Sequence, residues 1–238
     1  MEKNVWLPLD SHPEIQVGQY IVPNFVSNSV AIKVTENEYI LISPGATLLE
    51  SWPDELKSQD CKIHIIMPNA WHFMGVKAWQ KSISNTVLYA SSHAKQKLIE
   101  KGAFTESDNI QALEGVQPPM PQGYEILFPP GHRAGDIWLR KQTSASHSTW
   151  ITCDSFLNYQ RLSNQPVART LQKLLGAAPG LKMSTVVKWF ILNDKKAFKT
   201  WVLEHLKDNP TTLIPSHGEV EQDPNLKNKI KSMVTSRL

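Results

Sequence analysis

Cysteine is scarce in this chain. Two residues in 238, Cys61 and Cys153, cannot make a disulfide scaffold, and both are expected as buried thiols at strand edges. Long apolar runs are missing as well. Nothing approaches the ~18 consecutive apolar residues of a membrane span, and the opening Met1-Glu2-Lys3-Asn4-Val5-Trp6 lacks the apolar centre of a secretory signal. The expectation is a soluble, cytoplasmic protein without a membrane partner. An excess of one charge is also lacking: 25 Lys and Arg stand against 22 Asp and Glu, a formal charge of +3. The basic residues read as scattered apart from a tail at Lys227, Lys229, Lys231 and Arg237, so nucleic acid is not an expected partner. No internal repeat at a short fixed period is visible.

What is present is a layered pattern. The length suits one domain, 1–238, without an obvious break. Val17 to Phe25 and Ser29 to Ser43 are rich in β-branched residues, and Thr35-Glu36-Asn37-Glu38 breaks the second run as a hairpin turn. Ala46 to Leu56 reads as a short helix that Pro53 interrupts or restarts. Lys62 to Met67 and Thr86 to Ala90 read as buried strands. Between them Gly75 to Ser82 fits a helix with Val76 and Trp79 on one face, and Ser91 or Ser92 caps a further helix that ends before Gly102. Tyr124 to Phe128, Asp136 to Arg140 and Thr149 to Cys153 suggest an antiparallel meander. Helical spacing follows at Ser163 to Leu175, Ser184 to Leu192 and Lys195 to Leu206. Thr211 to Pro215 is a last strand, and Asn225 to Ser236 a closing helix. The class is α/β.

Four segments share one design, a His or Asp placed directly after an apolar or β-branched run. They are Ile63 to Gly75, which carries His72; Pro130-Gly131-His132-Arg133-Ala134-Gly135-Asp136; Ile151-Thr152-Cys153-Asp154-Ser155; and Ile214-Pro215-Ser216-His217-Gly218. Residues just past strand ends line the crevice where α/β folds hold ligands. Three imidazoles and a carboxylate suit zinc, and iron or manganese less selectively. Each alone has a plainer reading: His72 as a hydrogen-bonded core histidine, Asp154 as a helix cap, Arg133 and Asp136 as a solvated turn. Glycine beside His132 and His217 would let the backbone approach a ligand. His12, His64, His93, His147 and His205 read as surface or structural. The tryptophans at 52, 71, 79, 138, 150, 189 and 201 are expected mostly in the core, with Trp71 the one placed to touch a ligand. Cys153 is expected on the opposite side of its strand from Asp154, because strand side chains alternate.

The order of elements and three of the turns resemble the metallo-β-lactamase fold superfamily, over roughly Val17 to Gly218. The resemblance implies an αββα sandwich of two mixed β-sheets flanked by helices, with a metal site at one edge. Pro130 to Asp136 resembles the family's Gly-His-x-x-Gly turn, Thr152 to Ser155 its bridging-aspartate segment, and Pro215 to Gly218 its final histidine turn. Ser43 stands where the family usually has Asp. The family's His-x-His-x-Asp-His signature is degenerate: aligned on Gly75, the four positions hold Pro68, Ala70, His72 and Phe73. An ordinary two-metal centre cannot be built from them.

The resemblance therefore implies one metal ion, Zn or else Fe or Mn, on His72, His132, Asp154 and His217. Such a metal lowers the pKa of its bound water to about 7, which leads to hydrolysis of an ester, thioester, lactone or phosphodiester. Asp154 would be ligand first and water-orienting group second, with Trp71 and Arg133 as substrate contacts. The competing expectation is a metal-free pseudoenzyme that binds a small molecule or a protein. Nucleophilic catalysis by Cys153 with a nearby His is a lesser alternative.

Overall fold

The computed structural model describes residues 3–22, 25–58, 60–144 and 147–238. Met1 and Glu2 of the opening segment, and Pro23 and Asn24 of the first expected strand, lie outside them. The chain forms two compact units, Met1–Pro121 and Gln122–Leu238.

In the first unit, β1 (Trp6–Leu9), β2 (His12–Val22), β3 (Phe25–Thr35) and β4 (Glu38–Ile42) pair antiparallel in sequence order. The expected polar turn lies between β3 and β4, with Thr35 opposite Glu38; β1 had no clear signal in its short, Pro-containing run. The direction then changes. β5 (Lys62–Ile66), β6 (Thr86–Ala90) and β7 (Gln111–Ala112) join β4 in parallel, linked by α1 (Val76–Ser82) and α2 (Ser92–Glu100). This explains why Ile63 to Ile66 reads as an almost unbroken apolar run, since a parallel strand is covered on both faces. Ile63, Ile65 and Ile66 are fully buried. α2 starts where Ser91 accepts the Ala94 N–H at 3.2 Å. The segment after β4 makes two short 3-10 turns, Ala46–Leu49 and Asp54–Lys57, with Pro53 starting the second. Trp6, Trp52 and Trp79 meet edge to face, with ring centroids 5.3 to 6.2 Å apart.

His64 is the buried polar group of this sheet. Its ring nitrogens lie 3.0 Å from the Tyr89 hydroxyl and 2.9 Å from the Glu38 carboxylate, which fits the structural role expected for it.

In the second unit, β8 (Tyr124–Leu127), β9 (Trp138–Ser144) and β10 (His147–Ile151) form the expected antiparallel meander. β11 (Leu157–Tyr159) then leads to α3 (Pro166–Leu174), with proline in its first turn, and to β12 (Gly180–Lys182). The helix read over 184–192 forms, but from Val187 to Ile191 it widens into a π turn. The Ile191 carbonyl is drawn aside to accept the Arg133 N–H at 2.9 Å. α4 (Lys195–His205) follows, then β13 (Pro210–Ile214), β14 (His217–Gly218), β15 (Glu221–Gln222) and α5 (Leu226–Arg237). β13 runs parallel to β10 and antiparallel to β15, while β11 lies between β12 and β14. Trp138, Trp150, Phe156, Phe198, Val202 and Ile230 form the core of this unit.

Two glycines expected to admit a ligand are used differently. Gly131 and Gly218 both adopt positive φ, +72° and +93°. A Cβ on Gly131 would strike the Asp194 carbonyl, and one on Gly218 the Asn158 carbonyl. Both therefore serve close approach of one backbone to another. Gly218→Ala combines a left-handed conformation with that clash, and is expected to lower stability by about 1–3 kcal/mol or more; the shift of the denaturant midpoint measures it. A second expectation concerns His64, whose pKa is held below the ordinary imidazole value chiefly by burial, with the Glu38 hydrogen bond pulling it back up. Because the folded-state pKa is the lower one, the stabilising effect of neutral His64 is present above about pH 6.5 and is lost as pH falls through the folded value. The thermal midpoint should fall between about pH 7 and pH 5, and fall less in His64→Gln.

Candidate metal centre

The site in the second unit follows from strand register. β10 and β13 are parallel, with Ile151 opposite Ile214. Both chains leave the sheet at the same edge, so the third residue after one, Asp154, emerges beside the third after the other, His217. Their Oδ1 and Nε2 atoms are 3.1 Å apart. β9 lies antiparallel on the other side of β10, with Leu139 opposite Ile151. The residues just before β9 are thus carried to the same edge, and they include Asp136. Donor atoms of Asp136, Cys153 and Asp154 all lie within 4.8 Å of one another.

Two readings of the sequence are corrected here. Asp136 is no solvated turn residue: it is 3 % exposed, accepts the Ser155 hydroxyl at 3.2 Å and lies 3.2 Å from His132 Nε2. Cys153 does not turn away from Asp154. The alternation rule fails because β10 ends at Ile151, two residues earlier, where the backbone has left the pleat. As metal donors Asp136 and Cys153 were not read from the sequence, where Cys153 stood only as a candidate nucleophile, and the Asp136 signal was its place four residues after His132.

His132 has a fully buried side chain and is tied to the π turn through the bridge from His132 to Leu192. It contacts Asp136 and lies outside the Asp136, Cys153 and Asp154 group among the described residues. Arg133 is exposed.

In the first unit, the loop after β5 that carries His72 is shaped by Asn69. Its buried side chain accepts the N–H groups of Trp71 at 2.8 Å and His72 at 3.2 Å, an Asx turn. His72 is partly exposed, and its Nδ1 lies 2.8 Å from the Ser43 hydroxyl. Ser43 itself has a positive φ of +51°. With Nδ1 engaged by Ser43, Nε2 is the nitrogen left to serve as a ligand. Pro68 and Ala70 are buried, and Phe73 packs edge to face on Phe104 at 6.0 Å. Trp71 is 41 % exposed, with the Lys101 ammonium 5.8 Å from its ring centroid. Trp189, expected in the core, is exposed instead.

Asp136, Cys153 and Asp154 together offer two carboxylates and a thiol, ligand types that suit a divalent metal ion, and the His217 imidazole reaches this group at Asp154.

Comparison with protein-family models and with curated proteins finds no match. Solved structures do match. One is the proposed diflavin flavoprotein A 5, a fragment from Nostoc sp. PCC 7120, at 12% identity and TM-score 0.64 over 98% of this chain and 96% of that one. Another is a metal-soaked flavodiiron core from Synechocystis sp. PCC6803, at 12% identity and TM-score 0.66 over 97% of this chain, which spans 60% of that one. A proposed metallo-β-lactamase from Thermotoga maritima matches at 17% identity and TM-score 0.52, over 88% of this chain and 98% of that one. The chain has the metallo-β-lactamase-like fold. The α/β class with two mixed sheets and helices is as the sequence resemblance implies.

Both cysteines are buried and free. Burial raises the Cys61 thiol, and raises Cys153 well above the ordinary thiol value with the Asp136 and Asp154 charges adding to it. This opposes a thiolate nucleophile at Cys153. At neutral pH the native, metal-free protein should leave both thiols unlabelled by an aromatic disulfide reagent, while denatured protein reacts fully; rapid labelling of native Cys153 would contradict the described burial.

Proposed function

We propose that this chain is a mononuclear metal-dependent hydrolase of esters, thioesters, lactones or phosphodiesters. The observation that carries the reading is the Asp154 and His217 contact at 3.1 Å, with Asp136 and Cys153 beside it. Asp154 and His217 are the first two ligands in this reading. The sequence resemblance adds His132 and His72, the first held by Asp136 through Nε2 and the second by Ser43 through Nδ1. Zinc is the expected ion, with iron or manganese as alternatives. When bound, the metal supplies a water molecule acidic enough to be deprotonated near neutral pH.

The chain's own groups have the remaining roles. Asp154 orients the attacking water by accepting one of its protons in a hydrogen bond. Arg133 attracts an anionic substrate, and Trp71 offers an apolar surface to an acyl group. A neutral Cys153 would lose its proton to the bulk if recruited by the metal. The metal-free alternative, a module for binding a small molecule or a protein, draws on one specific observation: Phe73 and Ala70 fill with apolar packing the positions where the family has histidines.

The test is elemental analysis of untagged protein after incubation with zinc and dialysis. About one equivalent is expected, with strong loss in His217→Ala and in Asp154→Ala, and an intermediate loss in His72→Ala. Hydrolysis of the four substrate classes should follow metal content. No metal in correctly folded wild type would overturn the hydrolase reading and leave the binding module.

A further inference from the structure

The basic residues read as scattered are in fact concentrated. Between Arg161 and Lys199 there are eight Lys or Arg against a single acidic residue, Asp194, so that the rest of the chain is acidic on balance. None of the eight is buried. Asp194 is engaged at the start of α4, where its carboxylate accepts the Ala197 N–H at 2.9 Å.

The same segment carries five of the large apolar side chains that face solvent. On α3 these are Val167, Leu171 and Leu174, at positions i, i+4 and i+7, which form one face of the helix. Arg169 and Lys173 stand on the same helix, which has no acidic residue. On the π turn they are Trp189, 58 % exposed, and Phe190, 69 % exposed. The Lys195 ammonium lies 3.7 Å from the Trp189 ring centroid and the Lys188 ammonium 5.4 Å. The two elements are joined where the Thr185 N–H donates to the Leu175 carbonyl at 2.8 Å. Exposed aromatics flanked by cations, with leucines on a basic helix, are the composition of surfaces that rest in the headgroup layer of a bilayer.

We propose that α3 and the π turn dock this protein on a membrane surface rich in anionic lipid. Trp189 and Phe190 enter the headgroup boundary, and Lys173, Lys188 and Lys195 face the lipid charge. No described helix is long and apolar enough to cross a membrane; the attachment proposed is a peripheral one. It is independent of the metal chemistry proposed above.

Vesicle flotation tests this, using phosphatidylcholine vesicles with and without about one third phosphatidylserine. Wild type should float with the anionic vesicles and stay behind with the neutral ones, and added salt should weaken binding. The double variant Trp189→Ala/Phe190→Ala and the double variant Lys188→Glu/Lys195→Glu should each weaken it about tenfold or more, with thermal midpoints close to wild type because these side chains are not core residues. Equal recovery with neutral vesicles, or none with anionic ones, overturns the proposal. So does an aromatic double variant that binds like wild type, which would mark the face as a general polyanion site for an acidic protein or nucleic acid.

Discussion

The parallel, in-register pairing of β10 with β13 is the constraint on which the site in the second unit depends. Ile151 opposite Ile214 fixes where each chain leaves the sheet, and Asp154 and His217 sit at equal distances beyond that point. A shift of one residue would separate them. The register is firm because both strands are buried, with Trp150, Leu213 and Ile214 in the interior, and a slip would move every side chain to the wrong face. The antiparallel neighbour β9 delivers Asp136 to the same edge, so one sheet edge gathers donors from three strands.

In the first unit the loop after β5 carries one imidazole, His72. Asn69 shapes the loop from inside, and the Ser43 hydroxyl lies against the His72 ring. Pro68 and Ala70 are buried, and Phe73 packs on Phe104. Apolar side chains at these places leave no further buried polar group to be satisfied.

Charge is partitioned as sharply as the donors are. Acidic groups cluster at the end of β10, where Asp136 and Asp154 lie beside a neutral thiol, while Arg161 to Lys199 carries the positive excess on exposed elements. In the buried cluster, low dielectric strengthens every interaction, and a cation is the species best able to relieve the proximity of two carboxylates. On the exposed face water screens each lysine, and only their number gives an effect.

The sequence by itself determined the strands and helices with strong periodicity, the hairpin at Glu36-Asn37, a serine cap at Ser91 or Ser92, and the three turns that carry His132, Asp154 and His217. These are local signals, set by side-chain pattern and turn chemistry. The tertiary structure alone decided which donors meet. Asp136 looked like a solvated turn residue and Cys153 looked averted, because neither the pairing of β9 with β10 nor the end of β10 at Ile151 is written in local composition. It also decided that Gly131 and Gly218 serve backbone packing, and that Val187 to Ile191 makes a π turn exposing Trp189 and Phe190. Periodicity reports which face of an element is apolar; only the packing of distant segments decides what that face meets, or whether it meets anything within the chain.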